Sequence, residues 1–301
     1  MVRCQQDVIH RSLQKTERIN QRWQTQSNVA QNKTRKVVRK TNRSSGLWIG
    51  IILGSIALIV GVLLYVYFTG NTSDVVASDP TVFNTITHVN PTLLEQVGTG
   101  NAQSTLQALK GGLPSLTGPT GKPEFFYVGG EFCPYCAAQR WAIVVALSRF
   151  GTFSPLLQTH SSEQNLATLT FRESTYTSQY IDFVAKEIQD NQGNKLDTLS
   201  SDQQHIFDTY NAPPYMQSAG AIPFIDVANK YVSSGSYYLP DTLVNLSWQD
   251  VAIQMKQTDN NVSKGILGSA NYLTATVCAS TQNKPETVCS ATYIQQIEKS
   301  L

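Results

Sequence analysis

An α/β domain tethered by one membrane-crossing helix is the architecture this sequence predicts, on three observations. Leu47 to Phe68 is a long uncharged apolar run. Phe125 to Val128 is an apolar strand that delivers two cysteines, Cys133 and Cys136, to the start of a helix. Pro223 opens a β-hairpin, after which the pattern is helical to the end of the chain. A chain of 301 residues holds one sizeable domain with attachments.

Charge divides the chain. Residues 1–46 carry eleven basic and two acidic side chains, a balance of +9, whereas the remainder carries twelve basic and nineteen acidic, a balance of −7. Such a division fits two compartments better than one nucleic-acid-binding protein. Residues 5–45 are rich in Gln, Asn, Lys and Arg and hold too little apolar surface to offset the entropy of ordering, so 1–46 is expected to be a largely disordered basic tail. It serves as an orientation signal, or it attracts anionic lipid.

The run from Leu47 to Phe68 has 22 residues and no charge. As a helix it reaches about 33 Å, enough to cross a bilayer core. A buried core helix would show a polar face, and this run has none. Trp48, Tyr65 and Tyr67 lie near its ends, where amphipathic rings favour the headgroup layer. Arg35, Lys36, Arg39, Lys40 and Arg43 precede it, so the positive-inside tendency keeps the N-terminus cytoplasmic and sends the C-terminal domain outside. A cleaved signal peptide fits less well, because both the apolar run and its leading segment are too long. On this topology Cys4 stays in a reducing compartment, and the other four cysteines lie where disulfides persist.

Residues 69–121 read as a juxtamembrane linker ending in LPSLTGPTGKP, with one short helix at Pro91–Val97, and 122–301 as the folded domain. Phe125–Val128 is a buried strand bounded by Pro123 and Gly129-Gly130. A helix is expected from Cys133 to Phe150, halted by Gly151. Phe153–Thr159 and Leu166–Phe171 are strand material, and Tyr180–Val184 is either a strand or the start of a helix. A helix over Ser200–Tyr210 lies in an insertion that closes at Pro213-Pro214. The hairpin Ala221–Val227 and Tyr231–Val232 follows. Then come a helix capped by Ser247 with Asp250, another over Ile266–Cys278, and a last one over Val288–Lys299.

The chemistry is carried by Cys133-Pro134-Tyr135-Cys136. At a helix N-terminus, free backbone N–H groups and the macrodipole stabilise a thiolate, so Cys133 ionises more readily than a free cysteine. Cys136, one turn on, is close enough to form a disulfide with it. Pro134 suits the first turn because its missing N–H would go unbonded there. A purely structural disulfide is the plainer alternative. Zinc would need two further ligands of suitable spacing, and the histidines at 10, 88, 160 and 205 are scattered, so no metal is expected. Glu131 reads either as a proton relay beside Cys133 or as a solvated loop acid. Trp141 and Phe150 read as core. Cys278 and Cys289 read as a structural disulfide, with a second shuttling redox pair as the alternative.

The segment Glu131–Phe150, EFCPYCAAQRWAIVVALSRF, resembles the active-site helix of thioredoxin-like proteins, and its Pro134-Tyr135 dipeptide is that of glutaredoxins. With GAIPFIDVANKYV, Ala270-Asn271, Thr274–Cys278 and Pro285–Cys289, the chain from about Asn90 onward resembles an uncharacterised prokaryotic family of membrane-anchored thioredoxin-like proteins. The resemblance implies a thioredoxin-like fold with a helical insertion and a helical C-terminal extension, and brings no activity of its own. It also implies that Pro223 is a cis-proline beside the cysteines, with the backbone of Ile222 pairing with substrate. Thioredoxins keep a buried acid six residues before the first cysteine, where this chain has Tyr127. It also lacks a second Gly-rich segment of the kind glutaredoxins use for glutathione.

The expected function is therefore forming or reshuffling disulfides in exported proteins, with no cofactor beyond the redox-active Cys133–Cys136 disulfide. Expected partners are exported proteins with thiols or disulfides, a membrane or soluble thiol redox partner, and the bilayer, but no nucleic acid. The same chemistry run as a reductase, or a redox-silent binding or chaperone module, are the alternatives.

Overall fold

The computed structural model describes residues 75–110 and 113–301. The expected basic tail and the expected anchor Leu47–Phe68 lie outside them. Among the described residues, no helix is long and apolar enough to cross a membrane.

The fold is mixed α/β. In chain order its elements are β1 (Val76–Ala77), α1 (Pro80–Thr87), α2 (Pro91–Val97), β2 (Gln107–Ala108), β3 (Glu124–Gly129), α3 (Pro134–Leu147), β4 (Gly151–Ser154), β5 (Leu157–His160), β6 (Ala167–Thr170), β7 (Thr175–Ser178) and β8 (Asp182–Glu187). There follow α4 (Ser201–Tyr210), β9 (Phe224–Val227), β10 (Tyr231–Ser234), a 3-10 turn at Pro240–Leu243, α5 (Trp248–Gln254), α6 (Asn261–Ser280), α7 (Glu286–Cys289) and α8 (Thr292–Glu298).

A five-stranded sheet, in the order β2-β10-β9-β3-β8, is the largest sheet among the described residues. β3 and β8 are parallel, with Tyr127 opposite Ala185. β9 runs antiparallel to β3, with Ile225 opposite Tyr127, and β10 runs antiparallel to β9. Every residue of β3 and of β9 is buried, as expected of central strands covered on both faces. Alternation divides their side chains. Phe125, Tyr127, Ile225 and Val227 join the main core with α3 and α6, whereas Phe126, Val128 and Phe224 join a smaller core with Phe207 and Tyr210 of α4. Between α3 and β8 the chain forms two small antiparallel sheets, β4 with β7, and β5 with β6, to which β1 from before α3 adds as an edge strand.

Local chemistry explains most boundaries. Ser200 with Gln203, and Ser247 with Asp250, close reciprocal capping boxes at the starts of α4 and α5. The region read as one strand from Phe153 is two strands, separated at the cis Ser154–Pro155 bond, because a proline lacks the donor needed to continue a ladder. Of Tyr180–Val184, left open between strand and helix, Asp182, Phe183 and Val184 lie in β8 and the first two residues lead into it. The Cys133 helix ends at Leu147 rather than Phe150. α6 spans 20 residues, longer than expected, with Asn260 as its cap. The last expected helix is two, α7 and α8.

The expected linker 69–121 requires a larger correction. α1 and α2 bury Val82, Ile86, Leu94 and Val97 in the main core. Asn271 of α6, itself fully buried, donates to the carbonyls of Leu94 (2.8 Å) and Gly98 (2.7 Å) and fixes the end of α2. Close by, Gly268 leaves room that a Cβ would fill: it would come within 2.2 Å of the Thr99 carbonyl oxygen. The segment's polar residues hid this role, because its apolar ones are few and far apart.

Cys278 and Cys289 form a disulfide that ties α6 to α7. A loop of that size stabilises by about 3 kcal/mol in the chain-entropy model. Both sulfurs' residues are fully buried.

Candidate active site

β3 ends at Gly129, and a tight Gly129-Gly130 step turns the chain into α3. Close packing explains both glycines. A Cβ on Gly129 would lie 2.0 Å from the Tyr127 hydroxyl, and one on Gly130 would lie 2.6 Å from the Phe132 ring. Cys133 is the N-cap of α3, Pro134 begins the first turn, and the Cys133 sulfur accepts a hydrogen bond from the Cys136 backbone N–H at 3.3 Å. Both cysteines are free thiols. Cys133 keeps 6% of its surface exposed and Cys136 none, so only the first can meet a partner directly.

The two thiols are driven apart in acidity. A hydrogen bond from the Cys136 side chain, opposed by burial and aided by backbone N–H groups and Arg140, brings Cys133 down to about 7. Burial pushes Cys136 well above the ordinary thiol range. A low-pKa outer thiol and a protonated inner one suit nucleophile and resolving residue respectively. Alkylation of the reduced protein by iodoacetamide is accordingly expected to label Cys133 alone. Its rate should climb about tenfold per pH unit below a midpoint near 7 and then level off. Rates read by mass spectrometry from pH 5 to 9 check this; a midpoint at the free-thiol value, or equal labelling of both cysteines, would contradict it.

Ile222 and Pro223 come to the same place at the entry to β9, the strand paired beside β3. The Ile222–Pro223 bond is cis, and the Cys133 thiol lies 3.7 Å from the Ile222 carbonyl oxygen, to which it donates. The Pro223 carbonyl is held by the Gly235 N–H at 2.8 Å. Tyr135, on the exposed side of the first turn, is 48% exposed.

Beneath the thiols lies a buried charge pair that sequence reading missed. Arg140 follows Cys136 by one helical turn and Cys133 by two, so it shares their face of α3. Its guanidinium donates to both oxygens of Glu187 on β8 (2.8 and 2.7 Å) and to the Gly130 carbonyl (2.8 Å). Burial opposes its charge most strongly, but Glu187 with Tyr127 and Glu131 together outweigh burial and hold Arg140 protonated. Burial lifts Glu187 to about 7, with Arg140 pulling the other way. A signal did exist: Arg140 is the one charge in the whole of Pro134–Leu147, and a lone charge in an apolar helix needs a partner. Glu187 carried no such signal, because its pairing depends on the β3–β8 register.

Tyr127 is fully buried, and its hydroxyl has no hydrogen-bond partner among the described residues. Burial raises it far above the ordinary phenol range, so it offers a neutral dipole where a carboxylate would be a base. Glu131 is no solvated loop acid. It is only 2% exposed, it accepts from the Thr170 hydroxyl, and its other carboxylate oxygen is unpartnered among the described residues. Trp141 and Phe150 are buried core residues.

A family model described as a domain of unknown function, DUF929, matches residues 114–279. The matched span includes Cys133, Cys136, Arg140, Glu187 and Pro223 and stops short of Cys289. No curated protein and no solved structure matches the chain. With more than half of its length matched, the chain belongs to the DUF929 family.

Proposed function

We propose that the chain is a thiol–disulfide oxidoreductase with a thioredoxin-like fold, anchored by Leu47–Phe68 and working outside the cell membrane on exported proteins. The observation that carries the reading is the juxtaposition of Cys133, ionisable at a helix N-terminus, with the Ile222 carbonyl 3.7 Å away, at the entry to β9. Fold order supports it. Strands β8-β3-β9-β10, with α3 after β3 and α6 after β10, follow the arrangement expected of a thioredoxin-like core, to which β2, α4 and the β4–β7 segment are additions.

The steps follow from thiol chemistry. In the oxidising direction a substrate thiolate attacks Cys133 of the Cys133–Cys136 disulfide. A substrate–Cys133 bond forms, the internal bond breaks, and the electron pair leaves on Cys136, which takes a proton. A second substrate thiolate then attacks the mixed disulfide, leaves the substrate oxidised and returns Cys133 as thiolate. Run in reverse, Cys133 attacks a substrate disulfide and Cys136 releases the product. The Ile222 backbone offers an extended substrate its pairing edge. A low Cys133 pKa and the nearby Arg140 charge favour the dithiol state, which makes the pair oxidising.

The reduction potential tests the direction. A Cys278→Ser/Cys289→Ser background isolates the Cys133–Cys136 couple, and equilibration with glutathione is expected to give about −120 to −180 mV, the range of oxidants and isomerases. A value near −270 mV would reassign the protein as a reductase, and no exchange would leave a redox-silent binding module.

A further inference from the structure

An open groove of about 460 Å³ begins where the candidate site ends. One wall is Tyr215, Gln217 and Ser218, from the insertion after α4, and the other is Thr105 and Gln107, at the β2 edge. Ala221 lines it as well, and Ala221 is the residue bonded to Ile222, whose carbonyl faces the Cys133 sulfur. The floor at Gly235 is fixed to the same loop, because its N–H holds the Pro223 carbonyl. No residue lining the groove carries a charge. Gln107, Gln217 and Ser218 are exposed along it.

We infer, on the exchange chemistry proposed above, that the substrate is an extended polypeptide whose residues flanking the reacting cysteine occupy this groove, and that the site thereby favours uncharged flanks. Continuity selects the occupant. A chain paired with Ile222 while its sulfur meets Cys133 continues past Ala221 between the two walls. Their amide and hydroxyl groups can satisfy a backbone and neutral side chains. A Lys or Asp entering the groove loses hydration and meets no counter-charge, so charged flanks are selected against. Glutathione, charged at both ends and too short to extend along the groove, gains nothing from it.

The test uses the full chain in its oxidised form, mixed with seven-residue peptides carrying one central cysteine flanked by Ser and Gln, by Lys, or by Asp. Rates are expressed per peptide thiolate, and dithiothreitol and glutathione serve as small thiols. The Ser/Gln peptide is expected to react at least about tenfold faster than either charged peptide and than glutathione. Ser218→Lys should raise the rate of the Asp peptide and lower that of the Lys peptide, each taken relative to the same variant's rate with dithiothreitol. Flank-independent peptide rates alongside normal dithiothreitol exchange would overturn the groove's role. So would a Ser218→Lys variant that leaves all peptide rates as they were. Failure of dithiothreitol itself to reduce Cys133–Cys136 would sink the exchange chemistry, and this inference with it.

Discussion

Arg140→Met is expected to destabilise the domain by about 3–5 kcal/mol at pH 8, the cost of leaving a buried carboxylate without its partner. Glu187 loses two hydrogen bonds, and the Gly130 carbonyl keeps only the longer bond from the Cys133 N–H. The double variant Arg140→Met/Glu187→Leu should recover most of that loss, because an apolar pair of similar volume removes both desolvation penalties. Urea unfolding of the single and double variants checks this. If the double variant is as unstable as the single, the pair is not the coupled unit described here. The two variants also separate structure from chemistry: the double variant should fold well, yet its Cys133 should titrate higher, having lost the Arg140 charge.

Asp226→Asn is expected to stabilise the domain at pH 8 and to leave it nearly unchanged at pH 4. Asp226 is fully buried on β9, accepts only from the Asn229 N–H at 2.8 Å, and has an unpartnered second oxygen among the described residues. Burial lifts it to about 7. Glu124, on the same face of neighbouring β3, is lifted to about 7 by burial and by the charges of Asp226 and Asp182. For an acid whose folded pKa is raised, the folded state holds its proton longer than the unfolded chain. Stability is therefore full below the unfolded value near 4 and declines as pH rises toward 7. The asparagine removes a penalty on the order of 4 kcal/mol at pH 8, and the gain should shrink toward pH 4. Thermal melts of both proteins from pH 4 to 8 report it. A variant equally destabilised at every pH would contradict a buried, reluctant carboxylate.

Much of the fold was legible from the sequence because its signals were local. The all-apolar Phe125–Val128 strand, the Ser247/Asp250 cap and the hairpin opened by Pro223 each rest on a few adjacent residues, and the structure has them at those places. Cys278 and Cys289 likewise pair as read. What escaped depends on distant partners. α1 and α2 look like a polar linker until α6 supplies Asn271 and a glycine to receive them. Glu131 looked like a loop acid because nothing in its neighbourhood announces Thr170, 39 residues away. Within the site, the cysteines could be picked from their placement between a strand and a helix, and Pro223 from the thioredoxin-like resemblance. The Arg140–Glu187 pair could be half seen, through an isolated charge on an apolar helix. Nothing in the sequence marks Thr105, Gln107 and Ser218 as walls of one groove, because three separate segments build it.

The central claim is that Cys133 is the sulfur that exchanges with substrate, and Cys136→Ser tests it most directly. With the resolving thiol gone, the variant mixed with a disulfide-bonded protein should accumulate a mixed disulfide at Cys133, visible by non-reducing electrophoresis and released by dithiothreitol. Cys133→Ser should form none and should lose exchange altogether. Exchange that persists in Cys133→Ser, or a Cys136→Ser protein that forms no adduct, would contradict the account.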